Sequence, residues 1–139
     1  MAVEETMRGE LSRKQAAILW LIRSAGNDDG RSMRRKEIVL RLQDWFDVSS
    51  PAVTQALRRM ARPPMGLVRL VENADSAREK RVILTPKGEE SIRTMVERGR
   101  AFLQSLMQRL PERQVSGGIE FLRAAVAAVE RVHSNGHRR

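Results

Sequence analysis

The sequence contains no cysteine, which excludes disulfide bonds, thiolate metal sites and thiol-based redox sensing. No apolar run approaches the roughly 20 residues that a membrane-spanning helix needs. The first residues, Val3-Glu4-Glu5-Thr6, are acidic and polar, unlike a signal peptide. The sequence therefore predicts a cytoplasmic protein with no membrane partner.

Catalytic signatures are also absent from the sequence. It has no Ser-His-Asp grouping, no phosphate-cradling glycine loop and no cluster of carboxylates. His133 and His137 have the spacing of metal ligands on a helix, but Gly136 and the lack of a cysteine or carboxylate partner favour an ordinary polar tail. We therefore expect no enzyme activity, no cofactor and no metal site.

Positive charge is the main feature of the composition. The chain has 139 residues and a net charge of +9, and its length suits one domain that buries roughly 68% of its unfolded surface. Between Arg31 and Arg62 there are eight basic residues and three acidic ones, so this stretch holds five of the nine excess positive charges. Such a concentration predicts a polyanionic partner.

Two helices are predicted before the middle of the chain. Residues 1–10 show no period and are expected to be a flexible N-terminus. Ser12 and Gln15 then form a capping box that opens a helix, which ends in a polar turn at 26–30. A second helix is predicted from about Met33 to Phe46, with Ser32 as its N-cap. Its apolar face comprises Ile38, Leu42, Trp45 and Phe46.

A third helix, about residues 50–62, combines an apolar face with a basic outer face. Ser50 is predicted to cap it, Pro51 occupies its first position, and Arg62-Pro63-Pro64 ends it. Val53, Leu57 and Met60 point inward at helical spacing. The residues left on the outer face are Ala52, Thr54, Gln55, Arg58 and Arg59.

A β-hairpin follows the third helix. Leu67 to Glu72 and Arg81 to Leu84 are predicted to be its strands, around a charged tip at about 72–82. Helix, turn, helix and hairpin in this order predict a winged helix-turn-helix. One helix of this fold enters the DNA major groove, while the β-ribbon reaches the backbone or the minor groove.

The remaining segment, 89–133, is predicted to form two long helices that dimerise. Pro111 and Gly117-Gly118 are expected to bracket a bend, and residues 134–139 to form a disordered tail. The apolar stripe from Ile92 to Leu110, together with the helix after it, is too extensive for one copy to bury. An intrachain helical hairpin is the alternative. The predicted dimerisation residues are Ile92, Met95, Phe102, Leu103, Leu106, Leu110, Leu122, Val126 and Val129.

With these elements in place, the chain resembles the MarR family of winged helix-turn-helix transcription regulators, over about residues 11–110 and more loosely over 111–133. The motifs that carry the resemblance are Leu11-Ser12-Arg13-Lys14-Gln15, Val48-Ser49, Val53-Thr54, Gly66-Leu67-Val68-Arg69, Asp75 to Arg78, and Leu84-Thr85-Pro86-Lys87-Gly88. The chain departs from the family in four places. Its second helix is about a turn longer than usual, and Arg62-Pro63-Pro64-Met65 lengthens the link to the wing. Ten residues precede Leu11, where the family has a longer dimerisation helix, and Asp75-Ser76-Ala77-Arg78 replaces the family's D-x-R.

The resemblance implies a regulator that binds double-stranded DNA as a homodimer and most often represses transcription. It also implies a small-molecule effector. In the family the effector pocket lies between the DNA-binding elements and the dimerisation elements, to which the family's longer first helix belongs. Two alternatives remain open. One is a plasmid, phage or chromosome-maintenance protein with the same fold, and the other is a winged-helix module that binds protein.

The candidate DNA contacts follow from residue chemistry. Glutamine can pair bidentately with adenine and arginine with guanine, while basic residues at the start of the second helix suit phosphate. Cations at the wing tip suit phosphate or a narrow minor groove. For each site the alternative is a solvated surface. The predicted DNA-binding residues are Arg34, Arg35, Ser49, Ser50, Ala52, Thr54, Gln55, Arg58, Arg59, Arg78, Lys80 and Arg81.

Overall fold

The computed structural model describes the backbone of residues 2–73 and 76–136, and the side chains of residues 4–72 and 80–132. In chain order its elements are α1 (Ala2–Arg8), α2 (Arg13–Ala25), α3 (Asn27–Gly30), β1 (Ser32–Arg34), α4 (Arg35–Trp45), α5 (Ser50–Ala61), β2 (Val68–Asn73), β3 (Ser76–Leu84), α6 (Pro86–Met107) and α7 (Glu112–Gly136). The predicted winged helix fold, mainly helical with a small β-hairpin wing, is confirmed. The chain divides into two compact units, Met1–Gly99 and Arg100–Arg139.

Helix α1 corrects the prediction that the N-terminus lacks regular structure. Glu4 pairs with Arg8 one turn later at 3.5 Å and with Arg13 of α2 at 2.9 Å. Met7 lies so close to Gly99 that a Cβ on the glycine would be 3.0 Å from Met7 Cε. Contacts with residues far along the chain therefore hold this short helix, and the local pattern does not reveal them.

Helix α2 begins as the sequence predicts. The Ser12 hydroxyl accepts a hydrogen bond from the Gln15 amide at 3.1 Å, and the Ser12 amide donates to Gln15 Oε1 at 3.0 Å. The predicted polar turn is α3, in which Asp28 and Asp29 have φ values of 54° and 58°. Aspartate is among the residues that enter this left-handed region most readily.

The sheet has three antiparallel strands in the order β1-β3-β2. Strand β1 corrects the predicted start of the second helix, because Ser32 is no N-cap and α4 begins only at Arg35. Met33 pairs with Val82 of β3, and both side chains are fully buried. The pairing partner lies some fifty positions away, so the segment alone could not reveal the strand.

The core of the first unit gathers side chains from α2, α4, α5, the sheet and α6. It also corrects three predictions. Ile92 and Met95, expected at a dimer interface, are only 4% and 5% exposed because they complete this core. Trp45, expected on the apolar face of α4, is 58% exposed. The core contacts of α4 are made instead by Ile38, Val39 and Leu42.

Helix α7 corrects two further predictions. Gly117 and Gly118 lie inside the helix rather than at a bend, and residues 134–136 are helical rather than disordered. The break falls at Pro111, whose carbonyl accepts from the amides of Gln114 and Val115 at the start of α7. Alanines at 124, 127 and 128 lie within α7 and favour its helical conformation. Within the described ranges, no helix is long and apolar enough to cross a membrane.

Candidate nucleic-acid interface

Helix α5 is fixed in the first unit by its cap and its apolar face. Ser49 is the N-cap, and its hydroxyl accepts from the Ala52 amide at 3.2 Å. This corrects the assignment of the cap to Ser50, which is the first helical residue. Val53, Leu57 and Met60 are buried, as predicted. The opposite face of α5 is thereby presented outward.

The outward face of α5 is polar at Gln55 and basic towards its C-terminal end. Gln55, Arg58, Arg59 and Arg62 recur at i, i+3, i+4 and i+7 and line one shallow cavity of about 360 Å³. All four residues are exposed, and Arg62 is the C-cap of the helix. We call these four residues the α5 ridge. They are brought together on one surface, as a polyanion-binding helix requires.

No acidic residue lies close to the α5 ridge in the sequence to balance its positive charge. The sequence has no aspartate or glutamate between Asp47 and Glu72. Among the residues that the structure describes, Arg58, Arg59 and Arg62 form no ion pair. Arg62 was missing from the predicted site, although its spacing of seven from Gln55 was the available signal. The ridge can therefore offer its guanidinium groups to an external anion.

Other predicted residues of α5 lie at its N-cap and in its first two turns. Ser49, Ser50 and Ala52 are exposed, and the Ser49 hydroxyl is engaged in capping. Thr54 is half-buried, and its hydroxyl donates to the Ser50 carbonyl at 3.1 Å. The same hydroxyl accepts from Arg35 Nη1 at 2.9 Å. Two predicted site residues, Arg35 and Thr54, thus contact each other.

The basic residues near the start of α4 do not share one environment. Arg34 lies on strand β1 opposite Arg81, and not on the helix as predicted. Arg35 is half-buried, whereas Lys36 is exposed. The structure therefore separates Arg35, which contacts α5, from the exposed Lys36.

The wing residues that are described lie on the strands and not at the tip. Lys80 pairs with Glu72 of β2 at 3.5 Å. Arg81 Nη1 donates to the Ser32 hydroxyl at 3.4 Å, and that hydroxyl donates to Asp28 Oδ2 at 2.7 Å. The placement of Lys80 and Arg81 at the tip was thus wrong. Asp75 and the side chain of Arg78 lie outside the described residues.

An apolar cavity of about 530 Å³ lies elsewhere in the first unit, beside α1 and α2. Met7, Ala16, Trp20 and Met95 line it, and Trp20 is 47% exposed. For the part of the chain with described side chains, no group of three histidine, cysteine or acidic residues could hold a metal ion. The side chains of His133 and His137 lie outside that part.

Comparison with known proteins shows which family and which solved structures this chain resembles. Residues 11–88 match the family model of the winged helix DNA-binding domain. No curated protein sequence matches the chain significantly. Among solved structures, a transcriptional regulator from Thermotoga maritima has a TM-score of 0.73 at 22% identity, covering 96% of this chain and 89% of that one.

Two further solved structures have similar folds. MepR, a transcription regulator of the Staphylococcus aureus multidrug efflux pump MepA, has a TM-score of 0.68 at 18% identity, covering 92% of this chain and 87% of its own. A cysteine-to-serine mutant of MarR from E. coli has a TM-score of 0.68 at 21% identity, covering 90% and 85%. The resemblance to MarR-type regulators is thus confirmed as one of fold. The chain belongs to the winged helix DNA-binding domain family.

Proposed function

We propose that this protein is a sequence-specific, double-stranded-DNA-binding transcription regulator that acts as a repressor. The observation that carries the proposal is the α5 ridge, a line of three arginines and one glutamine with no acidic neighbour on its helix. The ridge lies on the helix that follows the turn of the helix-turn-helix, where winged helix proteins contact the major groove. Similarity in fold to a MepR mutant bound to an oligodeoxyribonucleotide is consistent with it.

The proposed mechanism assigns each part of the first unit a contact. Gln55 pairs with adenine and Arg58 with guanine, because their side chains present matching donors and acceptors to these bases in the major groove. Arg59 and Arg62 contact phosphates on either side. The wing, with Arg78, Lys80 and Arg81, lies along the flanking backbone or minor groove.

We propose that two copies bind together through the second unit. In α7, Leu122, Val126 and Val129 recur every three to four residues and are more than half exposed in the single chain. Leu103, Leu106 and Leu110, between residues 100 and 110, are also exposed. Exposed apolar surface of this extent is typical of a protein interface. A two-fold dimer would place two α5 helices on a pseudo-palindromic operator.

The apolar cavity beside Trp20 supports regulation by a small apolar effector. Its volume of about 530 Å³ falls in the range of small-molecule pockets. A ligand bound there would contact α1, α2 and α6, and so would bias the dimer geometry and the spacing between half-sites. Trp20 offers a direct probe, since its fluorescence should change on ligand titration in a variant that carries Trp45→Phe.

Selection of bound fragments from the source genome tests the proposal as a whole. Purified protein should retain fragments that share one pseudo-palindromic motif near promoters. A double variant, Gln55→Ala with Arg58→Ala, is the control and should retain no common motif. Fragments confined to replicon-maintenance regions would favour the plasmid, phage or chromosome-maintenance alternative. Failure of wild-type protein to retain any DNA would contradict the proposal and favour a protein-binding module.

A further inference from the structure

Arg35 connects the two helices of the helix-turn-helix. It is the first residue of α4, and its Nη1 donates a 2.9 Å hydrogen bond to Thr54 Oγ1 on α5. The two residues are 19 positions apart, and the bond is partly buried. Hydrogen bonds with a charged donor are roughly twice as strong as neutral ones. This contact therefore ties the start of α4 to the second turn of α5.

The Thr54 hydroxyl both donates and accepts a hydrogen bond within the protein. A hydroxyl has one proton to donate, and that of Thr54 goes to the Ser50 carbonyl at 3.1 Å. One of its lone pairs accepts from Arg35. The side chain is thus fixed in one rotamer and has no proton left for an acceptor on a base. Thr54 precedes Gln55, the first residue of the α5 ridge, in the sequence.

Lys36 provides a contrast within the same helical turn. Its side chain is exposed, whereas that of Arg35 is half-buried. Within the described residues, Lys36 makes no hydrogen bond or ion pair with another side chain. Lys36 therefore carries a charge that is free to attract phosphate, while the geometry of Arg35 is fixed by Thr54.

We infer that Arg35 is a positioning residue for sequence recognition, which orients α5 through Thr54, and that it is not chiefly a phosphate contact. The inference rests on the proposed function. Base contacts need precise placement of side chains, while phosphate contacts depend mainly on charge. Loss of the Arg35–Thr54 bond should therefore weaken binding to the operator more than binding to random DNA.

A double-mutant cycle separates this role from a simple charge effect. The variants are Arg35→Ala, Thr54→Val and the double variant, with Lys36→Ala as the control that removes one charge from the same turn. Affinity is measured for the selected operator and for a scrambled duplex over a series of salt concentrations. Thr54→Val keeps the net charge and nearly the shape of the side chain, so it tests the contact even where Arg35→Ala folds poorly.

The inference predicts that Arg35→Ala and Thr54→Val each reduce the ratio of operator to scrambled affinity by about tenfold. The double variant should lose no more than either single variant, because both remove one contact. Arg35→Ala should change the salt dependence no more than Lys36→Ala does. Equal losses of affinity on both duplexes would overturn the inference. So would a larger drop in salt dependence for Arg35→Ala than for Lys36→Ala, or additive effects of the two single substitutions in the cycle.

Hydrogen exchange without DNA tests the contact independently of the proposed function. The amides of Thr54 and Gln55 should exchange faster in Arg35→Ala and in Thr54→Val, but not in Lys36→Ala. Unchanged exchange in the first two variants would contradict the positioning role. A wild type that shows no operator preference, with exchange altered as expected, would contradict the proposed function while leaving the Arg35–Thr54 contact in place.

Discussion

The hydroxyl of Thr85 donates a 2.6 Å hydrogen bond to the carbonyl of Gly66. It also accepts from the Gly88 amide at 3.0 Å, so the residue that caps α6 holds the loop that follows α5. Leu67 extends this connection, because its amide donates to the Met60 carbonyl of α5 at 2.8 Å. The end of α5 and the start of α6 thus belong to one hydrogen-bonded cluster.

Replacement of Thr85 by alanine should lower the free energy of unfolding by about 1–2 kcal/mol, since a helix cap and a tertiary bond are both lost. Urea denaturation measures the change. Thr85→Ser is the matched control, because it keeps the hydroxyl and should stay close to wild type. Equal stability of the alanine variant and the wild type would show that water replaces both bonds.

Two glycines in helices should respond oppositely to alanine. A Cβ on Gly88 would lie 2.1 Å from the Leu67 carbonyl oxygen, so Gly88→Ala forces α6 away from the loop and should destabilise the fold by about 2 kcal/mol or more. A Cβ on Gly117 meets nothing within 4 Å. Gly117→Ala should therefore stabilise α7 by about 0.5–1 kcal/mol. Thermal melts of both variants measure these changes in stability. A Gly88→Ala variant as stable as the wild type would contradict the close packing at Gly88.

The elements with local signals were predictable from the sequence. The Ser12 capping box and the inward face of α5 depend on residues a few positions apart, and both are present. Strand β1 could not be predicted, because Met33 is in a strand only by pairing with Val82. Ile92 and Met95 were misassigned for a related reason. Helical spacing identifies an apolar face but does not tell which part of it the same chain covers.

The candidate site was predictable in part. Gln55, Arg58 and Arg59 lie on one face of α5, as their spacing predicted, and the same spacing would have included Arg62. The contact between Arg35 and Thr54 joins two helices and could not be derived from either one alone. The position of Arg81 beside Ser32 likewise depends on sheet register.

The wing should contribute affinity more than specificity. Alanine at Arg78 or at Arg81 is expected to weaken binding to the operator and to random DNA by similar factors. If each contacts one phosphate, the slope of log K against log salt should become shallower by about 0.9. Arg93→Ala, on α6, controls for the loss of one charge. Footprints and salt titrations check the prediction, and a variant that loses only the operator would show that the wing recognises sequence or groove width.

Dimerisation should depend on Leu106 and Leu122, which are 42% and 62% exposed in the single chain. Glutamate at both positions places charges in a buried interface, so the variant should sediment as a monomer or unfold. Gln104→Glu adds a charge beside the apolar stripe and should remain dimeric. Sedimentation equilibrium at micromolar concentration measures the state, and a monomeric wild type would contradict the dimer.

Base recognition by α5 is tested most directly by competition between the selected operator and a scrambled duplex. Gln55→Ala and Arg58→Ala should each weaken operator binding by about 1–3 kcal/mol and reduce the difference in affinity between operator and scrambled DNA. Arg93→Ala should leave the difference in affinity between operator and scrambled DNA unchanged. If both α5 variants keep the wild-type preference for the operator, α5 is not the recognition helix, and the proposed mode of sequence recognition is wrong.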